Sequence, residues 1–169
     1  MTTSLMKDAF GHHVWATVVL IDACSTLTPE RLATSVPGTY GSIIDTMRHT
    51  VGADCSYLVA LTGGQVRTIE EEGMDLAGLR AAMVANGPAW DALLATSPDP
   101  EVIVVRHRDD GSESSAPAGI RLAQALHHGT DHRSQICTAL TSLGIEPPSI
   151  DAWDFAQLDG RLSETPATS

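Results

Sequence analysis

Apolar positions recur at helical spacing along most of the chain. Met6, Phe10, Val14, Thr17, Ile21, Cys24 and Leu27 fall at threes and fours and predict an amphipathic helix over 5–27. Thr28, Pro29 and Glu30 read as a breaker. A second helix is expected from Tyr40 through Ile43, Ile44, Met47, Val51, Tyr57 and Leu58 to Leu61, stopped by Gly63 and Gly64. Glu70, Glu71, Glu72 and Gly73 read as a solvated loop, with Asp75 as the N-cap of a third helix. That helix spans Leu76 to Thr96 through Leu79, Met83, Trp90 and Leu94, and Asn86, Gly87 and Pro88 predict a kink or a split in it. Glu101 to His107 is the one β-branched run of strand length. Turn chemistry at Arg108 to Gly111 makes a hairpin ending near Pro117. A fourth helix runs from Ala118 to Leu143 and is closed by Gly144. Beyond Pro147 and Pro148 come a short amphipathic piece, Ile150 to Leu158, and a polar tail, 159–169, expected to be mobile. Four long helices with a small β-hairpin before the last predict an all-α four-helix bundle, with residues 1–158 as a single domain.

Composition narrows the function. The 169 residues are enough for a self-sufficient core, and 43% hydrophobic against 18% charged residues exclude a disordered chain. Ten basic residues against 21 acidic ones give a net charge of −11, a surface that repels phosphate. Nucleic acid and anionic membranes are therefore not expected partners. No apolar run reaches the roughly 20 residues of a membrane span. The first ten residues lack a cationic start and an apolar run, so no secretory signal is expected. Cys24, Cys55 and Cys137 are odd in number and form no CxxC, which points to a reducing, cytoplasmic setting.

The chemistry concentrates in the last long helix. His128 and His132 stand four apart, one turn above each other on one face. At about 100° per residue, His132 lies roughly 40° from Ile136 and about 80° from Leu140, so the pair sits on or beside the buried stripe. Neutral imidazole is the commonest ligand for a transition metal, and a third ligand must come from another helix. His49, flanked by Met47 and Val51, is the best candidate. Three histidines leave a position for water or substrate, the arrangement of a catalytic site. Spacing alone leaves the other reading open, a pair of surface or hydrogen-bonded core histidines.

The remaining polar groups read more plainly. His12 and His13 are expected as a surface pair before Trp15, with one of them facing the bundle mouth as the alternative, and His107 is expected to be solvated in the hairpin. His127 points about 100° away from His128 and is a poor third ligand. Asp54 and Asp131 read as surface carboxylates, with orientation of the ligand imidazoles as their functional alternative. Cys137 reads as a small core residue, and Cys55, six positions from His49, is not aligned with it. No GxSxG elbow and no glycine-rich phosphate loop occur.

The segment His128-Gly-Thr-Asp-His-Arg-Ser-Gln-Ile136 resembles the H-G-x-x-H-R-G-Q-I pattern of the DinB/YfiT-like metalloenzymes, with Ser134 in place of the usual glycine. Thr39-Tyr-Gly-Ser-Ile-Ile-Asp-Thr-Met-Arg-His49 is similar to the family's T-x-G-x-x-x-x-x-x-x-H stretch. Trp15 resembles the aromatic of its first helix, and Gly144 to Phe155 its closing segment. The resemblance implies a bundle with up-down-down-up order and His49, His128 and His132 as ligands of a divalent transition metal, zinc before nickel or iron. Arg133 and Gln135 belong to the pattern, for inter-helix hydrogen bonding as much as for substrate contact. Characterised relatives conjugate or isomerise electrophiles with mycothiol or bacillithiol. The resemblance therefore implies a transferase whose partners are a small-molecule thiol and an electrophile, with a homodimer as an open option. One lysine against nine arginines is the composition of a GC-rich genome, which favours mycothiol. A metal-dependent hydrolase and a non-enzymatic metal-binding stress protein are the alternatives. The lack of an HExxH glutamate counts against peptide hydrolysis.

Overall fold

The computed structural model describes residues 5–66, 68–107, 110–158, 160–163 and 165. Its elements run α1 (Leu5–Cys24), α2 (Pro29–Leu32), α3 (Ile43–Thr62), α4 (Leu76–Ala95), β1 (Ile103–His107), β2 (Glu113–Pro117), α5 (Ala118–Ser142) and α6 (Ala152–Leu158). Local chemistry sets most ends. The Ser42 hydroxyl accepts the Asp45 N–H at 3.2 Å and starts α3 there, not at Tyr40 as the apolar pattern predicted. Gly63, at φ 65°, ends the same helix in the left-handed conformation. Asp75 caps α4 by accepting the Gly78 N–H at 2.8 Å, as read from the sequence. α1 stops at Cys24, short of the 27 that the apolar pattern predicted, and Thr28 and Pro29, read as a breaker, instead cap and start the one-turn α2.

Pro88 does not split α4. It lies on the exposed side of that helix, as does Val84, whose carbonyl loses its partner, so water can take up the bond. Asn86 and Trp90, on either side of it, are buried. The hairpin is antiparallel, pairing Ile103 with Pro117 and His107 with Glu113. The turn expected at 108–111 lies partly outside the described residues, as does the tail 159–169. Within that tail, Arg161 pairs with Asp8 at 2.7 Å and lies over the Phe155 ring.

Contacts between the long helices define their directions. Phe10 meets Trp90 and Asp22 meets Arg80, so α1 and α4 are antiparallel. His49 meets His128, while Tyr40, before α3, bonds Gln135, so α3 and α5 are antiparallel too. Arg48 reaches Met74 and Asp54 reaches Asn86 and Trp90, which makes α3 and α4 parallel neighbours. The order is up-down-down-up. Two parallel neighbours cannot be joined by a tight turn. A 20-residue helix is about 30 Å long, so the connection through 63–75 must travel back along the bundle.

The interior has two apolar parts. One gathers Leu20, Ile21, Met47, Val51, Met83, Ile136 and Leu140, and the other gathers Phe10, Leu58, Trp90, Leu122 and Ala125. Each fully buried large side chain contributes about 1.5–3 kcal/mol. Between the two parts, at the positions next along each helix, lie His13, Asp54, Asn86 and Arg133, all buried.

Candidate metal centre

Three imidazoles meet where α3 faces α5. His128 and His132 stand one turn apart with ring centroids 4.4 Å from each other, and His49 approaches from α3 at 4.9 and 5.0 Å. Each offers one ligand atom, and these atoms lie within 4.8 Å of one another. The Nε2 atoms of His49 and His128 are 3.1 Å apart. Two nitrogens bound to one tetrahedral ion at the usual zinc distance are about 3.3 Å apart, so this pair is already spaced for a shared cation. The residues present fit a divalent metal.

Neutral imidazole is the ligand form, and the surroundings enforce it. Burial, with His132 and His49 nearby, pushes His128 down to about 4. Burial and His132 lower His49 in the same way. His132 is nearly buried, whereas the His49 side chain is 29% exposed, so the cluster opens to solvent on that side. A coordinated ion would keep a face for a small molecule.

Neighbours hold the rings in place. Gln135 Oε1 accepts from His132 Nδ1 at 3.1 Å and from the Tyr40 N–H at 2.8 Å, while its Nε2 donates to Asp131 at 3.2 Å. The amide is thereby oriented, and His132 is left with its Nε2 lone pair for the cluster. The Tyr40 ring stacks on His49 at 4.1 Å and 6°, and meets His132 edge-on at 5.4 Å. Asp131 is exposed as expected, yet it reaches His132 through Gln135.

Beneath the cluster, one polar network crosses all four long helices. Asp54 of α3 accepts from His13 Nε2 at 2.9 Å, from Asn86 at 2.7 Å and from Trp90 Nε1 at 3.1 Å. Arg133 of α5 donates to His13 Nδ1 at 3.0 Å and to Thr17 at 3.1 Å. A neutral His13 therefore bridges a buried carboxylate and a buried guanidinium. Burial lowers Arg133 to about 10, which leaves it cationic at neutral pH. The His13 ring lies where a Cβ on Gly129 would stand, which explains the glycine after His128.

Two expectations are corrected here. His13 is 1% exposed and Asp54 2% exposed, so neither is at the surface. Both lie on buried stripes, His13 with Phe10, Thr17 and Leu20, and Asp54 with Val51 and Leu58. Their mutual pairing offsets the cost of burial. His12, paired with His13 as a surface residue, is half-buried and donates to the Ile150 carbonyl at 2.8 Å, tethering the segment before α6 against Trp15 and Phe155. Arg133 serves the inter-helix role, and Gln135 bonds His132 of the cluster.

Other residues fall outside the cluster. His107 is exposed and pairs with Glu113 at 2.7 Å, and His127 is exposed. Cys55 faces Asn86, and Cys137 packs against the core. Burial pushes Cys24 up to about 12 and also raises Cys55 and Cys137, so none is a ready thiolate. Sequence reasoning missed Tyr40, placed at the start of a helix, and Glu71, placed in a solvated loop. Glu71 is 45% exposed but stands 3.9 Å from His49 Nδ1.

Bundle and cluster together define a helical protein with a three-histidine centre suited to a divalent metal. The model of the DinB family matches residues 1–165, and the chain belongs to that family. No curated protein matches it. No helix among the described residues is long and apolar enough to cross a membrane.

Proposed function

We propose that this DinB family protein is a metal-dependent transferase that activates a low-molecular-weight thiol, with His49, His128 and His132 as the ligands of one divalent ion. The observation that carries the reading is the convergence of three imidazoles on a centre that stays open beside His49. Among the described residues the cluster has three members, the ligand count of catalytic sites, not the four of structural ones. A divalent ion held there would supply an electrophilic position at which a thiol loses its proton, the thiolate being the reactive nucleophile. The chain's part is to keep His49 and His128 unprotonated, to orient His132 through Gln135, and to wall one side of the opening with the Tyr40 ring. The cysteines, all with raised pKa values, do not compete as nucleophiles. Mycothiol is the favoured thiol, on the arginine-rich composition, with bacillithiol as the second choice. The three free cysteines support a cytoplasmic setting.

The test combines elemental analysis with a thiol-consumption assay. Purified protein should carry about one metal per chain. It should accelerate conjugation of a model electrophile with mycothiol, bacillithiol or glutathione, most strongly below about pH 7, where free thiolate is scarce. His49→Ala should abolish both. Rates equal to those without protein for all three thiols would refute the transferase. Ester turnover without any thiol would identify a metal-dependent hydrolase instead, and metal binding without either activity a binding protein.

A further inference from the structure

We infer that Glu71, carried by the connection between α3 and α4, is a positioning residue for His49, and that Gly52 is the socket that admits it. The inference rests on the metal-centre reading and adds a member that the sequence pattern does not contain. His49 turns its Nε2 toward His128, so its Nδ1 faces away from the cluster. The group that approaches this Nδ1 is the Glu71 carboxylate, with Oε2 3.9 Å away. From that side a carboxylate can accept a hydrogen bond from Nδ1–H without competing for the ion. This is how metal-bound histidines are commonly held. At 3.9 Å the pair is still too long for a hydrogen bond, and closing it takes a shift of about 1 Å.

Three features place Glu71 there. The parallel α3–α4 pairing forces the connection to run back along the bundle, past the face of α3 that carries His49. Gly52 lies one turn beyond His49 on that helix, and a Cβ built on it would collide with the Glu71 carboxyl group. Arg48, one residue before His49, donates to the Met74 carbonyl at 2.9 Å and ties down the end of the same connection. Gln135 already serves His132 in the corresponding way, with an amide oxygen on Nδ1. Two of the three imidazoles would thus be oriented by an oxygen acceptor, one from a neighbouring turn and one from a crossing loop.

The experiment measures zinc affinity by competition with a chromophoric chelator, for wild type, Glu71→Ala, Glu71→Gln, Gly52→Ala and His49→Ala. Glu71→Ala should weaken binding by about 10- to 100-fold, the usual cost of losing such a partner. Glu71→Gln keeps an acceptor of the same reach and should recover most of the loss. Gly52→Ala expels the carboxylate and should match Glu71→Ala, with little added in the double variant. In metal-free protein, ring-nitrogen NMR should show His49 protonated at Nδ1 in wild type and as a tautomer mixture in Glu71→Ala. Wild-type affinity in Glu71→Ala, with His49→Ala inactive in binding, would overturn this inference alone. A wild-type protein that binds no zinc would overturn the metal centre with it.

Discussion

Gln135 Oε1 lies 3.1 Å from His132 Nδ1 and 2.8 Å from the Tyr40 backbone nitrogen, so one amide oxygen serves a helix and the loop that precedes another. Replacing Gln135 by Ala removes the group that holds the His132 tautomer and releases Tyr40 from α5. Metal affinity should fall by about 10-fold or more, while the helical circular-dichroism signal stays unchanged. Isothermal titration with zinc would check this, and an unaltered dissociation constant would count against the role given to Gln135.

Asp54→Ala should be among the most damaging single changes. It leaves Arg133 buried without its counter-charge and strips partners from His13, Asn86 and Trp90. Removing one member of a buried charge pair costs about 3–5 kcal/mol. Urea unfolding of the metal-free protein should show a loss of that size; a change below about 1 kcal/mol would mean that the network is not a structural keystone.

For Gly129→Ala two effects oppose each other. Alanine gains about 0.8–1 kcal/mol in helix propensity over glycine. Its methyl group, however, would occupy the place of the His13 ring and break hydrogen bonds to Asp54 and Arg133. Bonds to charged groups are worth about 1.5–3 kcal/mol each, so sterics win and the melting temperature should drop. A raised melting temperature would show that the His13 ring has room to move.

Acid should destabilise the metal-free protein. His128 titrates near 4 in the folded state, against about 6.5 in an unfolded chain, and His49 is shifted the same way. Between those values the unfolded state binds more protons, so unfolding free energy rises with pH and its full value is reached only above about 6.5. The Glu71 carboxyl, raised by burial, works in the opposite sense at lower pH, so the comparison belongs at pH 7 and pH 5.5. In excess chelator the urea midpoint should be lower at pH 5.5, with the difference reduced in His128→Gln. Equal midpoints would contradict the neutral-histidine cluster.

Removing the ion should leave the bundle standing. Leu20, Met47, Val51, Met83, Ile136 and Leu140 are almost fully buried without it, and burial of such side chains is what holds helices together. A chelated protein should therefore keep its far-ultraviolet helical signal and a cooperative melt. Loss of both would make the metal structural.

The periodicity of 3.6 alone settles that His128 and His132 share a face, because both lie on one helix and no distant contact is involved. Caps at Asp75 and stops at Gly63 and Gly144 were legible for the same reason, since each acts within a few residues of itself. The start of α3 was not, because Tyr40 is apolar enough to extend the helical pattern while Ser42 has the side chain that caps. His49 was legible as a candidate from its apolar flanks Met47 and Val51, and the resemblance of two short motifs pointed to the same residue. Only tertiary structure decided that His13 and Asp54 are interior. A charged or titratable group is buried when a partner from another helix meets it, and hydropathy along one helix carries no record of that partner. Glu71 was hidden for a related reason. In sequence it is one of three consecutive glutamates, and what singles it out is the return path that the parallel α3–α4 pairing imposes on its loop, together with a glycine on α3 that leaves space for one carboxylate.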